Sequence, residues 1–493
     1  MLVNKQCGRG KSSTGQSTLL DTLLLNPYIG IPLFLGLMYS AFFVTIQIGV
    51  PLQTLFEQIL QTLFGVYPER LLNSLSAPSW IIELVLGAGK GIVITGCFIP
   101  VVGLMFFCSS LLETSGYLAR MALLMDRWMQ KLGLSGRAFI PLVMGMGCNV
   151  PAVLSTRTLE AKAPVIRIKT ILMSTFISCS GRLGIYALFA ASFFKDTGQN
   201  IIFALYLIGI LFALGTGWVL RHVLLLKEAQ VLPMTLPAYQ CPSLGALGKA
   251  SFHRVKSFVL DAGQIIIPLC LIFSLLTTLK AGTGETWLAT VGKTATPIFA
   301  PMGVKQDNWP ATVGLLTGFM AKEAVAGTLN ALYAEEARQL GRSVAHNAGM
   351  STNQNSLALT QKSSLSALMS ERFGGGVEAF AYLLFVLLYL PCISVLSAIK
   401  RELNLAWAIF SACWTTSLAY AVSVLFYQIA TFKLHPGYSA TWIMGIVMTF
   451  TITGFGVRGW LRALGNPLCR ILEKGRAGIR SYNLIPTRIL IKT

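Results

Sequence analysis

The sequence contains little charge, and acidic residues are especially scarce. Charged residues make up 12% of its 493 residues, against about 25% in soluble domains, and 19 Asp and Glu stand against 39 Lys and Arg. Long runs without any charge accompany this scarcity, and 54% of the residues are hydrophobic. A soluble enzyme, a disordered chain and a secreted disulfide scaffold are therefore excluded. The composition predicts an all-α, polytopic membrane protein that has the lipid bilayer as its surroundings.

The formal net charge of +20 needs an explanation in a chain with so few acids. Basic residues are concentrated in the N-terminal arm, in several loops and in the C-terminal tail. Because Lys and Arg near span ends stay in the cytoplasm and attract anionic lipids, this pattern predicts that both termini are cytoplasmic. It does not require nucleic acid as a partner, and we expect none.

Eight charge-poor runs are long enough, or nearly so, to cross a bilayer as helices. They are residues 29–50, 91–112, 171–194, 201–220, 262–279, 379–399, 403–432 and 436–457. Two further apolar runs, 138–156 and 310–321, are interrupted by Gly or Pro or are too short. We interpret them as broken or re-entrant segments, which occur where protein or a wet cavity satisfies the backbone. The polar stretch 335–376 is predicted to lie outside.

Three short stretches recur in the same order in the two halves of the chain. Residues 85–92 resemble 259–266, residues 113–118 resemble 323–329, and residues 148–160 resemble 392–402. With the orientation above, the first pair enters the membrane from opposite sides. This predicts an inverted repeat of the kind found in transporters, although the third pair fits the inversion poorly.

Sulfur side chains are concentrated in the broken run 138–156. Met144, Met146 and Cys148 lie there beside Asn149, and the breaks expose backbone carbonyls, so these groups are candidate ligands of a metal ion. The alternative is ordinary apolar packing, since Met and Cys fill cores and small residues let helices approach. Cys392 follows a helix-breaking proline in the second half, and this second thiol favours the metal hypothesis.

Carboxylates flank the two broken runs. Glu113 and Glu323 could form a vestibule that attracts and partly dehydrates a divalent cation. They are equally explained as solvated or ion-paired residues at the ends of spans, with Lys322 beside Glu323 as a partner. Glu83, Glu160 and Glu402 are candidates of lower rank, with Arg401 beside Glu402.

The run 171–194 contains one positively charged side chain, that of Arg182. Arg182 must face the protein interior, because an unpaired guanidinium in a span costs several kcal/mol. It could pair with a buried carboxylate or line a cavity, and we interpret it as structural. Cys179, three residues earlier, is a candidate third thiol of a cation pathway.

Several kinds of site are not predicted. Gly10-Lys11-Ser12 resembles part of a phosphate loop, but Lys5 stands where such a loop needs its first glycine. The four histidines show no ligand spacing. We therefore expect no nucleotide site, no GTPase or ATPase activity and no enzyme in this chain.

The motifs resemble those of a known family, the bacterial ferrous iron transport protein B (FeoB). The resemblance rests on Gly147-Cys148-Asn149-Val150-Pro151-Ala152, Cys179-Ser180-Gly181-Arg182-Leu183, Asn308-Trp309-Pro310-Ala311-Thr312 and Leu390-Pro391-Cys392. It implies an inner-membrane importer of Fe²⁺ with two gate-type repeats. Cys148 and Cys392 would stand at the positions of the family's pathway cysteines.

The resemblance also implies partners and an organisation. Family members normally begin with a guanine-nucleotide-binding domain, which is not recognisable here, so a G-domain module acting in trans, or loss of nucleotide control, is expected. Small cytoplasmic accessory proteins are expected from the family, and a homo-oligomer is compatible with the sequence.

The chain is expected to divide into seven regions. They are an N-terminal arm (1–27), a first helix with an external segment (28–80), repeat 1 (81–200), a helix with a cytoplasmic loop (201–256), repeat 2 (257–402) with an external loop (334–376), the last two helices (403–457) and a basic tail (458–493).

The sequence allows two alternatives to Fe²⁺ transport. Related gate-type repeats occur in nucleoside carriers, but residues 144–151 contain no aromatic ring for stacking a base. A non-transporting receptor or scaffold would not need two broken segments with paired thiols.

Overall fold

The computed structural model describes residues 24–463 apart from 76–77, 98, 160–163, 195–196, 224–242, 279–285, 321, 323–324, 331 and 334–368. The described part is built from helices, which confirms the all-α class. Its first half contains α1 (Pro27–Gln61), a π-helical turn (Thr62–Val66), α2 (Tyr67–Ser74), α3 (Ser79–Cys97), α4 (Ile99–Thr114), α5 (Tyr117–Lys131), α6 (Phe139–Met144), α7 (Asn149–Ser155), α8 (Pro164–Ser174), α9 (Ser180–Phe193) and α10 (Gly198–Val223). Its second half contains α11 (Leu244–Thr278), α12 (Trp287–Phe299), α13 (Trp309–Met320), α14 (Gly376–Leu388), α15 (Ile393–Glu402), α16 (Leu405–Ala430) and α17 (Pro436–Ala463).

Among the described residues, five helical segments are long and apolar enough to cross a membrane. They are Pro27–Ser74, Leu84–Thr114, Gly198–Arg221, Gly376–Glu402, which includes α14, α15 and the residues between them, and Leu405–Ala430; Ile266–Leu276 is a shorter apolar helix. These segments confirm a polytopic membrane protein. The total of eight full crossings stays a prediction.

Four helices, α1, α3, α4 and α11, pack together, so that α11 of the second half lies against α3 and α4 of the first half. α3 and α11 are in close contact, and a Cβ on Gly91 would lie 2.8 Å from the Ile267 Cα. Only glycine therefore fits at position 91 without a shift of the backbone. The first matching pair of the internal repeat, 85–92 and 259–266, lies on these two helices.

The largest hydrophobic core surrounds α14. Every residue of α14 from Tyr382 to Leu388 is buried, and the helix packs against α9, α10 and α16. A helix that is apolar on all sides is stable only when protein covers its whole circumference, which explains its central position. α16, the neighbour of α14, begins at a side-chain cap, in which Asn404 accepts a hydrogen bond from the Trp407 N–H at 2.9 Å.

The apolar runs are interrupted more often than the sequence predicted. The run 138–156 is broken as expected, whereas 310–321 contains the unbroken α13. The runs 171–194 and 379–399, which we expected to cross as single helices, are each split into two half-helices. In the first, the Ser174 and Thr175 hydroxyls bond to carbonyls three residues back. Such bonds compete with helical pairing, and in the second run Pro391 provides no N–H donor.

Candidate functional site at three helix breaks

The first helix break lies between α6 and α7. α6 ends at Met144, and Cys148 precedes α7 as its N-cap with an extended backbone (φ −152°, ψ 133°). The Cys148 N–H donates to the Met144 carbonyl at 3.2 Å, so these residues lie about one helical turn apart. Met144 is buried, whereas Met146 is 37% exposed. The two candidate thioethers therefore differ in their exposure.

The second break, between α8 and α9, packs against the first. Ser180 donates both its N–H and its hydroxyl to the Gly147 carbonyl, each at 3.1 Å. The amide nitrogen of buried Asn149 donates to the carbonyls of Ser174 at 3.2 Å and Gly145 at 2.9 Å. These bonds supply additional donors to carbonyls at the two breaks. Asn149 thus joins the two breaks, a role that sequence reasoning did not identify.

Arg182, near the start of α9, is only 1% exposed. Its guanidinium donates to the carbonyl of Ile177 at 3.1 Å and to that of Thr175 at 3.4 Å. Both carbonyls belong to the second break, so the buried charge and the irregular backbone stabilise each other. Among the residues that the structure describes, the hydrogen-bond partners of Arg182 are carbonyls rather than the carboxylate considered from the sequence, and this agrees with a structural role.

The third break lies between α14 and α15. Cys392 is the N-cap of α15, and the preceding residues, Tyr389 to Pro391, are outside both helices. The buried Lys322 ammonium donates to the Leu390 carbonyl at 2.7 Å and lies 3.3 Å from the centroid of the Tyr389 ring. Sequence reasoning considered Lys322 only as a partner for Glu323. A lysine at the end of an apolar run was the signal that could have identified it.

Tyr389 at the third break packs so closely against α13 that position 318 has room only for glycine. A Cβ at this position would overlap the Tyr389 hydroxyl and the Val325 Cγ2. Replacing Gly318 by Ala should therefore lower the free energy of unfolding by about 1–3 kcal/mol through overpacking, despite the better helix propensity of alanine. Thermal unfolding of the purified chain in detergent measures this loss.

Gly184→Ala is the matched control for Gly318→Ala. Gly184 also lies inside a helix, α9, and a Cβ there would meet nothing within 4 Å. It should leave the melting temperature unchanged or raise it. Equal melting temperatures for the two variants would show that Tyr389 does not pack against α13 as described.

The three breaks place a cysteine at the same structural position. Cys148, Cys179 and Cys392 are the N-caps of α7, α9 and α15, and all three are partly exposed. Cys148 and Cys392 pack against one hydrophobic cluster, and Tyr389 lies within electrostatic range of Cys179 and Cys392. The structure therefore brings the three candidate thiols to one region of the protein.

The donor atoms at the breaks are of two kinds. Helix N-termini, where negative charge is favourable, carry the thiols, and the C-terminal ends of α6, α8 and α14 direct their last carbonyls toward the breaks. Within the described ranges, no group of three His, Cys, Asp or Glu side chains is close enough to hold a metal ion. The arrangement can offer sulfur and oxygen donors to a borderline cation.

Glu113, one of the two predicted vestibule carboxylates, is ion-paired. It accepts a hydrogen bond from Arg254 on α11 at 3.1 Å, and Arg254 also bonds to the Ser110 hydroxyl at 3.2 Å. The ion-paired alternative therefore applies to Glu113. Glu323 and Glu160 lie outside the described residues.

Glu402, the last residue of α15, is more deeply buried than Glu113, the other considered carboxylate whose side chain the structure describes. It binds Arg157, whose Nε is 2.7 Å away, and Arg167 on α8. The sequence suggested its neighbour Arg401 as the partner, but Arg401 bonds to the Ser257 hydroxyl at 2.8 Å. Hydrogen bonding to Glu402 raises the pKa of Arg157, while burial lowers that of Arg167. Glu402 thus connects α15 to two elements of the first repeat.

These contacts define the relative direction of α7 and α15. Each half-helix begins at a cysteine, and Glu402 at the end of α15 meets Arg157 just beyond the end of α7. The two half-helices therefore run in the same direction. This explains why the sequence pair 148–160 and 392–402 fits an inverted repeat poorly.

Broken helices that meet inside a bundle of membrane-length helices are typical of a polytopic membrane transport protein. Two family profiles match this chain. The profile described as "Gate: Nucleoside recognition" matches residues 97–193 and 259–406, and "Ferrous iron transport protein B C terminus" matches residues 202–254.

Relatives with the printed name "Fe(2+) transporter FeoB" were found in several bacteria. The protein of Legionella pneumophila (strain Lens) is 44% identical over 462 residues, covering 87% of this chain and 61% of the relative. The Shigella flexneri protein is 40% identical over 474 residues, covering 90% of this chain and 61% of the relative. The chain thus spans about 61% of the length of these curated relatives, and no solved structure matches significantly. Over 87–90% of its length the chain is thus similar to these FeoB proteins, in their membrane part.

Proposed function

We propose that this chain forms the transmembrane path by which Fe²⁺ enters the bacterial cytoplasm across the inner membrane, with both termini cytoplasmic. The observation that carries the proposal is the recurrence of a cysteine N-cap at three helix breaks, Cys148, Cys179 and Cys392. The printed name of the relatives, Fe(2+) transporter, supports the choice of ion.

The geometry suits transient binding of Fe²⁺. Iron(II) accepts oxygen, nitrogen and sulfur ligands, and conduction requires contacts weak enough to release the ion. In the proposal, the thiols of the three N-caps act together with carbonyls freed at the breaks, and Met144, Met146 and the side-chain oxygen of Asn149 are further candidates. Glu323 and Glu113, whose carboxylate stays 28% exposed beside Arg254, are assigned the earlier step of attracting the cation. Repeats 81–200 and 257–402 enclose this path, and the two blocks matched by the Gate profile fall largely within them.

The chain itself is proposed to act as a transporter and not as an enzyme. GTP would act only through a separate G-domain module in trans, and small cytoplasmic accessory proteins and a homo-oligomer belong to the same proposal. Fe²⁺ is the transported substrate, and the proposal includes no nucleotide cofactor or nucleic acid.

A nucleoside substrate is disfavoured by the packing at the breaks. Recognition of a base needs an accessible aromatic face. Phe176 at the second break is fully buried, and Tyr389 at the third is 4% exposed with the Lys322 ammonium over its ring. Neither ring can stack on a ligand without displacement of core side chains.

The experiment that tests the proposal is anaerobic uptake into proteoliposomes that contain only this chain. We expect Fe²⁺ to accumulate inside the vesicles and labelled uridine to stay outside, with Mn²⁺ and Zn²⁺ run as competitors. Empty vesicles give the background. Uridine uptake without metal uptake would overturn the proposed function, and the absence of any uptake would contradict conduction by this chain alone.

A further inference from the structure

A positive charge is buried at the third helix break. Lys322 is 3% exposed, and burial of an ammonium group in the interior of a membrane protein is costly unless it has partners. Its described partners are the Leu390 carbonyl, 2.7 Å from Nζ, and the face of the Tyr389 ring, 3.3 Å from Nζ to the centroid. A carbonyl oxygen and an aromatic face are both groups that bind a cation.

The position of these partners connects them to the proposed path. Leu390 lies between α14 and α15, two residues before the N-cap Cys392, so its carbonyl is outside both helices. Tyr389 lies within electrostatic range of Cys392 and Cys179. The ammonium therefore binds a carbonyl that is outside both helices and two residues before a candidate thiol.

A second observation points to a ligand at the same place. The Tyr389 hydroxyl is buried and has no hydrogen-bond partner among the described residues. A buried hydroxyl without a partner costs about 1–3 kcal/mol, so a core that needed only an aromatic ring would be better served by phenylalanine. The hydroxyl lies beside Gly318 of α13, and its hydrogen-bonding capacity is unused among the described residues.

We propose that the Leu390 carbonyl, the Tyr389 side chain and the Cys392 thiol form a divalent-cation subsite, which the Lys322 ammonium occupies in this structure and which an incoming ion enters by displacing it. The inference deepens the proposed function and rests on it. Lys322 is then a tethered competitor of the ion. Its charge tunes the affinity of the subsite, because a cation cannot bind there while the ammonium remains in place.

The test uses Co²⁺ as the probe and the full chain in detergent. Sulfur-bound Co²⁺ gives a thiolate-to-metal charge-transfer band, which reports binding without transport. Lys322→Met removes the charge, Lys322→Gln removes it but keeps a donor for the Leu390 carbonyl, and Lys322→Arg keeps it. We expect the first two to lower the Kd for Co²⁺ at least about tenfold and to strengthen the band, because a unit charge in direct competition is removed. Lys322→Arg should resemble the unmodified chain.

Two control variants complete the test. Lys305→Met removes an exposed ammonium that also bonds to a carbonyl, that of Glu371 at 3.3 Å, and it should leave Co²⁺ binding unchanged. Adding Cys392→Ser to Lys322→Met should abolish the gain in the band. An unchanged or raised Kd in Lys322→Gln that folds normally would overturn the subsite.

The subsite and the proposed function fail in different ways. If the Lys322 variants bind Co²⁺ tightly but the unmodified chain takes up no Fe²⁺, the subsite stands and transport by this chain is contradicted. If the chain takes up Fe²⁺ and the Lys322 variants neither bind Co²⁺ more tightly nor change uptake, transport stands and Lys322 only stabilises the break.

Discussion

Replacing Cys148 and Cys392 together by serine will reduce Fe²⁺ uptake by proteoliposomes at least about tenfold, since losses of 10–100-fold are typical even when outer-shell partners of a metal are changed. Both cysteines are N-caps of half-helices and pack against the same hydrophobic cluster. Serine keeps the size and a hydrogen-bonding group but replaces a soft ligand by a poor one for this ion.

Cys413→Ser is the matched control for the cysteine pair. Cys413 lies on α16 and is exposed, so the same substitution there should leave uptake unchanged. Melting temperatures of the variants separate lost transport from lost folding. Normal uptake by the folded double variant would show that Cys148 and Cys392 pack in the protein but do not bind Fe²⁺ during transport.

Replacing Glu402 by Gln will lower the free energy of unfolding by about 3 kcal/mol. The Glu402 side chain is 4% exposed and neutralises Arg157 and Arg167, which are 55% and 22% exposed. Breaking a buried pair by removal of one partner costs about 3–5 kcal/mol, and the value lies at the low end because Arg157 retains water. Unfolding of the purified chain in a denaturing detergent measures the change.

Glu113→Gln is the comparison for Glu402→Gln. The Glu113 carboxylate is 28% exposed and its partner Arg254 is 40% exposed, so solvent screens this pair. We expect a loss of about 1 kcal/mol or less. A larger loss at Glu113 than at Glu402 would contradict the role of Glu402 in holding α15 to the first repeat.

Composition and the lengths of charge-free runs were enough to predict an all-α membrane protein, because the bilayer sets the length of a crossing helix. They did not predict the breaks in 171–194 and 379–399. Hydropathy counts apolar side chains, whereas the breaks are marked by local hydrogen bonds of Ser174 and Thr175 to nearby carbonyls and by Pro391, which has no N–H donor. Local hydrogen bonding of this kind does not change the hydropathy of a run.

The candidate thiols could be proposed from sequence, but their common position could not. Cys392 directly follows Pro391 and Cys148 stands three residues before Pro151, which indicates breaks, whereas no proline lies near Cys179. The roles of Asn149 and Lys322 depend on the carbonyls of Ser174 and Leu390, 25 and 68 residues away in sequence, and such contacts leave no periodic signal. The same reason explains why Arg401 was considered as the partner of Glu402 in place of Arg157.

The most direct test of the central claim is X-ray absorption at the iron edge of the full chain loaded anaerobically with Fe²⁺. The account predicts sulfur as well as oxygen or nitrogen in the first coordination shell, and loss of the sulfur contribution in the Cys148→Ser, Cys179→Ser, Cys392→Ser triple variant. A first shell without sulfur in the unmodified chain would contradict a path lined by these three thiols.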